Sequence, residues 1–218
     1  MKKTVPRLPA VLIIFAVLPA AGVIYFYFFD QFWTHLDLTG ANHLREYASD
    51  SIRGYRGQQI LVHRDFLEPM RRLDGYARAT GVKILVVHSF RHPEAVLTDA
   101  KVVPGKRSNH LAGHAVDINV RSGLWLYMFE DMKKTSLPDQ PSPVQDFIRL
   151  IREDPGMRWG GDFEDEDPVH IDDGLNLADY QQWQQHAEAC ARDVMSAPPK
   201  WKRRVHLLLD HWTNGIFR

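Results

Sequence analysis

"SNHLAGHAVDINV", residues 108–120, combines two histidines, a glycine and an aspartate with the opening of an apolar run. From Ala115 to Val120 the residues alternate. Side chains of a strand point to opposite faces at period two, so Val116, Ile118 and Val120 share one face, while Ala115, Asp117 and Asn119 share the other. This is a half-buried strand whose polar face carries a carboxylate. Gly113 permits a tight bend in front of it, which would fold the preceding loop back and bring His110 toward Asp117.

Working outward, "DFLEPMRRLDGYARA", 65–79, repeats apolar residues Phe66, Leu67, Met70, Leu73 and Tyr76 at intervals of three and four, the pattern of an amphipathic helix, and Gly81 stops it. "VKILVVHSF", 82–90, is β-branched and apolar and reads as a buried strand ending at Arg91. Residues 91–109 are a loop rich in turn formers. The pattern predicts helices over 124–133 and 144–153, separated by "LPDQPSP", then a short strand "VHID" and a helix over 177–195. Strands and helices of this kind predict an α+β domain, and no internal repeat is visible.

The chain has 218 residues, 44% of them hydrophobic and 25% charged, and Lys+Arg equals Asp+Glu at 27 each. That neutral balance argues against a nucleic-acid partner, which demands a basic surplus. A single cysteine, Cys190, excludes an intramolecular disulfide and a Cys-rich metal cluster, whereas 11 histidines leave many imidazole ligands. Residues 1–8 carry Lys2, Lys3 and Arg7, and "PAVLIIFAVLPAAGVIYFYFF", 9–29, has no charged side chain. As a helix that run covers roughly 31 Å, the thickness of a bilayer core. We read it as a transmembrane anchor, with a cleaved signal peptide as the competitor. The positive flank keeps residues 1–8 in the cytoplasm and sends the rest of the chain across the membrane. Residues 30–60 read as a juxtamembrane connector with at most one short helix, 61–196 as the folded domain, and 197–218 as a basic amphipathic tail.

A second stretch completes a constellation. In "DEDPVHID", 165–172, Pro168 opposes a continuous helix. Read as a strand, it sends Val169 and Ile171 to the core and His170 and Asp172 to the polar face. His110, Asp117 and His170 then offer two imidazoles and a carboxylate, a three-ligand zinc set that leaves a fourth position for water. Asp167, set just before His170 by the rigid proline, is placed to take a proton from such a water and return it to a leaving amine. Arg91, at the end of a buried strand, is placed to hold a substrate carboxylate or a developing oxyanion.

These stretches resemble a known family. "SNHLAGHAVDINV" fits the S-x-H-x-x-G-x-A-x-D signature of the zinc D-Ala-D-Ala metallopeptidases, a superfamily that also holds L-alanyl-D-glutamate endopeptidases and the hedgehog signalling domain. "HSFR", "WGGDF" and "DPVHID" resemble its remaining segments, and the similarity runs over about residues 65–185. The resemblance implies a hedgehog/D,D-peptidase-like fold, a small antiparallel sheet with flanking helices, and a zinc ion carried on it by His110, Asp117 and His170. It further implies Asp167 as general base and acid, Arg91 on the substrate and Ser108 lining the site. The implied substrate is a peptidoglycan stem peptide, which puts the anchor in a bacterial inner or cytoplasmic membrane and the domain outside the cytoplasm, in the periplasm. The aspartate at the base position and the "WGGDF" context lean toward cleavage of the L-alanyl-D-glutamate bond, with D-alanyl-D-alanine carboxypeptidase or dipeptidase activity as the alternative. A zinc-stabilised binding module without turnover is a further alternative on this fold. The Pro-rich insertion between Asp117 and Trp159 departs from the pattern, and His114 is an alternative ligand.

Other features have plainer readings. His88, His92 and His114 read as hydrogen-bonded structural residues, and the acidic run 162–167 as a solvated loop. Cys190 reads as a buried helix residue. In the tail, Val205, Leu208, Leu209, Trp212 and Ile216 form a helical stripe that packs on the domain or meets anionic lipid.

Overall fold

A computed structural model describes residues 34–95 and 105–201, with the single positions 22 and 102. Apart from Gly22, the expected membrane span at 9–29 lies outside the described residues, as does most of the expected tail at 197–218. Among the described residues no helix is long and apolar enough to cross a membrane.

The alternation read at 115–120 is realised in β5 (Ala115–Ser122), the central strand of the larger sheet. Val116, Ile118 and Val120 are fully buried against the helices. The other strands are β1 (Leu44–Glu46), β2 (Ile52–Gly54), β3 (Leu61–His63), β4 (Lys83–His88), β6 (Trp125–Tyr127), β7 (Arg158–Trp159) and β8 (His170–Asp172). The larger sheet runs β2-β4-β5-β8-β7, with β6 also paired to β5. Its neighbours are antiparallel except β2 and β4, so the sheet is mixed at one edge, where an antiparallel sheet was expected. β1 and β3 form a separate antiparallel pair.

Helix α1 (Leu67–Thr80) is the predicted amphipathic helix, closed by Gly81 at φ 73, a left-handed conformation that glycine adopts without strain. Short α2 (Asn109–Ala112) precedes β5. Helix α3 (Ser142–Glu153) buries Val144, Phe147, Ile148 and Ile151, a stripe at helical spacing that packs against α1 and β5. Burying each such side chain contributes about 1.5–3 kcal/mol, and together with Phe66, Met70, Leu73 and Trp159 they make one core on one side of the sheet.

Three expectations need correction. Residues 124–133 are not helical: Gly123 at φ 58 makes a two-residue turn that pairs Ser122 with Trp125, so the chain returns as β6. The helix expected at 177–195 is two helices, α4 (Leu175–Ala178) and α5 (Tyr180–Ser196). Asp179 separates them in extended conformation and accepts the Gln182 N–H at 2.9 Å as the N-cap of α5. Within the expected connector, residues 44–54 supply β1 and β2, and Leu44 and Ile52 are fully buried, so this stretch packs with the domain.

Candidate metal centre

Sheet register builds one row of polar groups across three strands. β4 pairs with β5 so that His88 faces Asp117, and β5 pairs with β8 so that Asp117 faces His170. The β4–β5 register shifts between Val86 and His88, and Gln58 donates to the carbonyls of Val86 and Val87 at this irregularity. The bulge re-aims His88 onto the carboxylate. The fourth member arrives from α2. Gly113, at φ 72, turns the chain from α2 into β5, and a Cβ there would press on the His63 backbone at 2.6 Å. That turn sets His110 over the row.

The expected ligands converge. His110 Nε2 lies 3.0 Å from Asp117 Oδ1 and 3.1 Å from His170 Nδ1, and His170 Nδ1 lies 3.1 Å from the same Asp117 oxygen. Their outward nitrogens settle the tautomers. His110 Nδ1 is 2.7 Å from the Ser89 carbonyl, which only accepts, so that nitrogen carries the hydrogen. His170 Nε2 is 3.0 Å from Asp172 Oδ2 and donates to it. With both rings neutral, two imidazole lone pairs and a carboxylate oxygen point at one another, an arrangement that holds when a cation, a proton or a metal ion, is shared among them.

The electrostatics agree. Burial alone would lower the His170 imidazole, but hydrogen bonds to Asp117 and Asp172 outweigh it and push the group up to about 10. Asp117 is raised by burial and lowered more by His110, His170 and His88, which hold it well below the usual carboxylate range. The pocket thus draws positive charge. The donor set suits zinc, and donors about 2.0 Å from a tetrahedral centre lie about 3.3 Å apart, close to the spacing found.

Next to the three expected ligands, Asp172 is heavily bonded. It takes Arg158 Nε and Nη2 at 2.7 Å each, Asn109 Nδ2 at 3.0 Å and the Gly174 N–H at 3.0 Å. Burial would raise its pKa; His170 and Arg158 reverse this and keep it ionised. Such a partner fixes the ring of a ligating histidine. Sequence reasoning put Asp172 on the His170 face without a role, and it missed Asn109, Arg158 and the Ser89 carbonyl. The signal available was the two-residue spacing of "HID". His88, read as structural, hydrogen-bonds the second Asp117 oxygen at 3.1 Å.

Asp167 is set by backbone. Its N–H donates to Gly160 O at 2.9 Å, and its carbonyl accepts the His170 N–H at 3.0 Å. A Cβ on Gly160 would overlap that carbonyl and crowd His170 Cβ, while one on Gly161 would overlap the Trp159 ring. Trp159 in turn donates to Pro168 O at 2.7 Å. These contacts explain why two glycines follow the tryptophan. Burial, then the Asp117 charge, raises the Asp167 carboxyl above its ordinary value.

Asp167, Arg91 and Ser108 all line one cleft of about 1120 Å³ with the three ligands. The Arg91 N–H donates to His110 O at 3.0 Å, so the arginine is tied to the ligand helix. Ser108 sits at the N-cap position of α2, its carbonyl accepting Trp183 Nε1–H at 3.3 Å. His114, the alternative ligand, is not in this group; its ring points to Asp173 and His186.

Residues 103–173 match a model of the M15 peptidases described as D-alanyl-D-alanine carboxypeptidase. The matched segment contains His110, Asp117, Asp167 and His170, and it is consistent with the zinc D-Ala-D-Ala metallopeptidase superfamily. Comparison with curated proteins gives no match.

Proposed function

We propose that the protein is a zinc-dependent peptidase that hydrolyses an amide bond of peptidoglycan stem peptides. The observation that carries this reading is the meeting of His110 Nε2, Asp117 Oδ1 and His170 Nδ1 within 3.1 Å, beside Asp167 in an open cleft. Bound there, zinc supplies a Lewis acid that makes water nucleophilic near neutral pH and polarises a carbonyl. The chain's own groups do the rest. Asp167 accepts the proton of the attacking water and delivers it to the departing amine. Arg91 holds a substrate carboxylate or the oxygen on which negative charge develops. Asp172 and the Ser89 carbonyl keep both imidazoles in the ligating tautomer, and His88 orients Asp117.

The bond we favour is L-alanyl-D-glutamate, on the strength of the aspartate base and the "WGGDF" context. The description of the matching family favours a second reading, removal of the terminal D-alanine. The uncharged run at 9–29 supports a membrane tether with the domain outside the cytoplasm. Mass spectrometry of muropeptides digested with and without chelator tests the reading. A new D-glutamate amino terminus is expected; loss of one alanine from the carboxyl end would select the second reading, and unchanged muropeptides would overturn both.

A further inference from the structure

A second group of imidazoles stands apart from this centre. His63 at the end of β3, His114 ahead of β5 and His186 on α5 each offer one nitrogen, all within 4.8 Å of one another. His114 Nδ1 is 2.6 Å from Asp173 Oδ2 and so carries the hydrogen, which leaves the Nε2 lone pair facing His186 Nδ1 at 2.9 Å. His63 is fully buried. Its Nδ1 accepts the Asp65 N–H at 3.2 Å, but its Nε2 has no hydrogen-bond partner. Leaving a buried polar atom unpaired costs about 1–3 kcal/mol, so an uncompensated Nε2 needs a reason. Asp65 Oδ2 lies 3.6 Å from both His63 Nδ1 and His186 Nε2. For His63 to ligate through Nε2, its hydrogen must sit on Nδ1, which then releases the Asp65 N–H and turns to that carboxylate.

We propose that His63, His114 and His186 form a second divalent-metal site, for zinc or a similar late first-row ion, with Asp65 and Asp173 behind the imidazoles. Imidazole suits such ions, and ligating histidines usually pass their other N–H to a carboxylate. Three neutral imidazoles and two carboxylates also balance a doubly charged ion. The rings are stacked, His63 on His186 at 3.8 Å and His114 on His186 at 5.0 Å, and loading would swing them out of the stack to converge.

Such a site would brace the first. His114 follows the turn that carries His110, and Asp173 adjoins Asp172, the partner of His170. An ion here would lock β3, the α2–β5 turn, the end of β8 and α5 in one arrangement.

Zinc stoichiometry of the full chain in detergent, measured by plasma mass spectrometry after equilibration with zinc, tests the proposal. Two zinc per chain are expected for the natural protein and one for His186→Ala. Zinc content unchanged in His186→Ala, or a single zinc in the natural protein that disappears in Asp117→Ala/His170→Ala, would overturn it. Should His186→Ala fail to fold by circular dichroism, the double variant Asp117→Ala/His170→Ala decides: one zinc retained supports the site and none overturns it. Failure of the first centre reads differently, because that double variant would then bind as much zinc as the natural protein.

Discussion

His170 Nε2 and Asp172 Oδ2, two residues apart on one strand, lie 3.0 Å from each other, and the same carboxylate is held by both edges of the Arg158 guanidinium. The imidazole is thereby turned so that Nδ1 faces Asp117 and His110. In the proposed centre, the orientation of His170 as a ligand depends on this neighbouring carboxylate. Asp172→Asn keeps the shape but weakens the acceptor, and metal affinity should fall about 10- to 100-fold. Competition with a chromophoric chelator measures it, and unchanged affinity would remove Asp172 from this role.

Asp167 lines the cleft and is bonded to the ligand strand only through its backbone. Asp167→Ala should therefore leave zinc content at the first centre unchanged while kcat falls about 10²- to 10⁴-fold. Release of new amines from purified peptidoglycan reports the rate. A variant that keeps its full rate would favour a zinc-stabilised binding module over an enzyme.

Gly160 has ordinary backbone angles, so its substitution tests space rather than conformation. A methyl group there would overlap the Asp167 carbonyl and crowd His170 Cβ at 2.9 Å. Gly160→Ala should lower stability by about 1–3 kcal/mol through overpacking. It should also reduce activity more than Gly75→Ala, because Gly75 has nothing within contact distance of an added Cβ. Thermal melts and rates of the pair check this.

Asp193 ties α5 to β1 by accepting the backbone N–H groups of His43 at 2.7 Å, Leu44 at 2.8 Å and Asn42 at 3.3 Å. Burial would raise its pKa, but these three donors outweigh it and lower the group below its ordinary value. A carboxyl depressed in the folded state contributes stability that is full above its unfolded pKa and is lost as pH falls through the folded one. Denaturant melts of Asp193→Ala should show a loss of roughly 2–4 kcal/mol at neutral pH. That difference from the natural protein should shrink as pH drops below about 3.9.

The site was more legible in the sequence than the fold around it. Period-two alternation placed Asp117 and His170 on polar faces because a strand has only two faces to choose between, and Gly113 marked the turn that delivers His110. The sequence did not contain register in readable form: that His88, Asp117 and His170 stand in one row follows from pairings between distant strands and from the bulge held by Gln58. The helix expected at 124–133 failed for a local reason, the Gly123 turn, which the apolar spacing concealed. The stacking of His63 with His114 and His186 joins positions 63, 114 and 186 through tertiary packing alone, and no spacing announces it.

The central claim is that His110, Asp117 and His170 hold one zinc ion. Anomalous diffraction on crystals grown with zinc, collected on both sides of its absorption edge, tests it most directly. A peak about 2.0–2.2 Å from His110 Nε2, Asp117 Oδ1 and His170 Nδ1 alike is the predicted result. Density showing those three atoms joined only by a proton, with no peak between them at saturating zinc, would contradict the account.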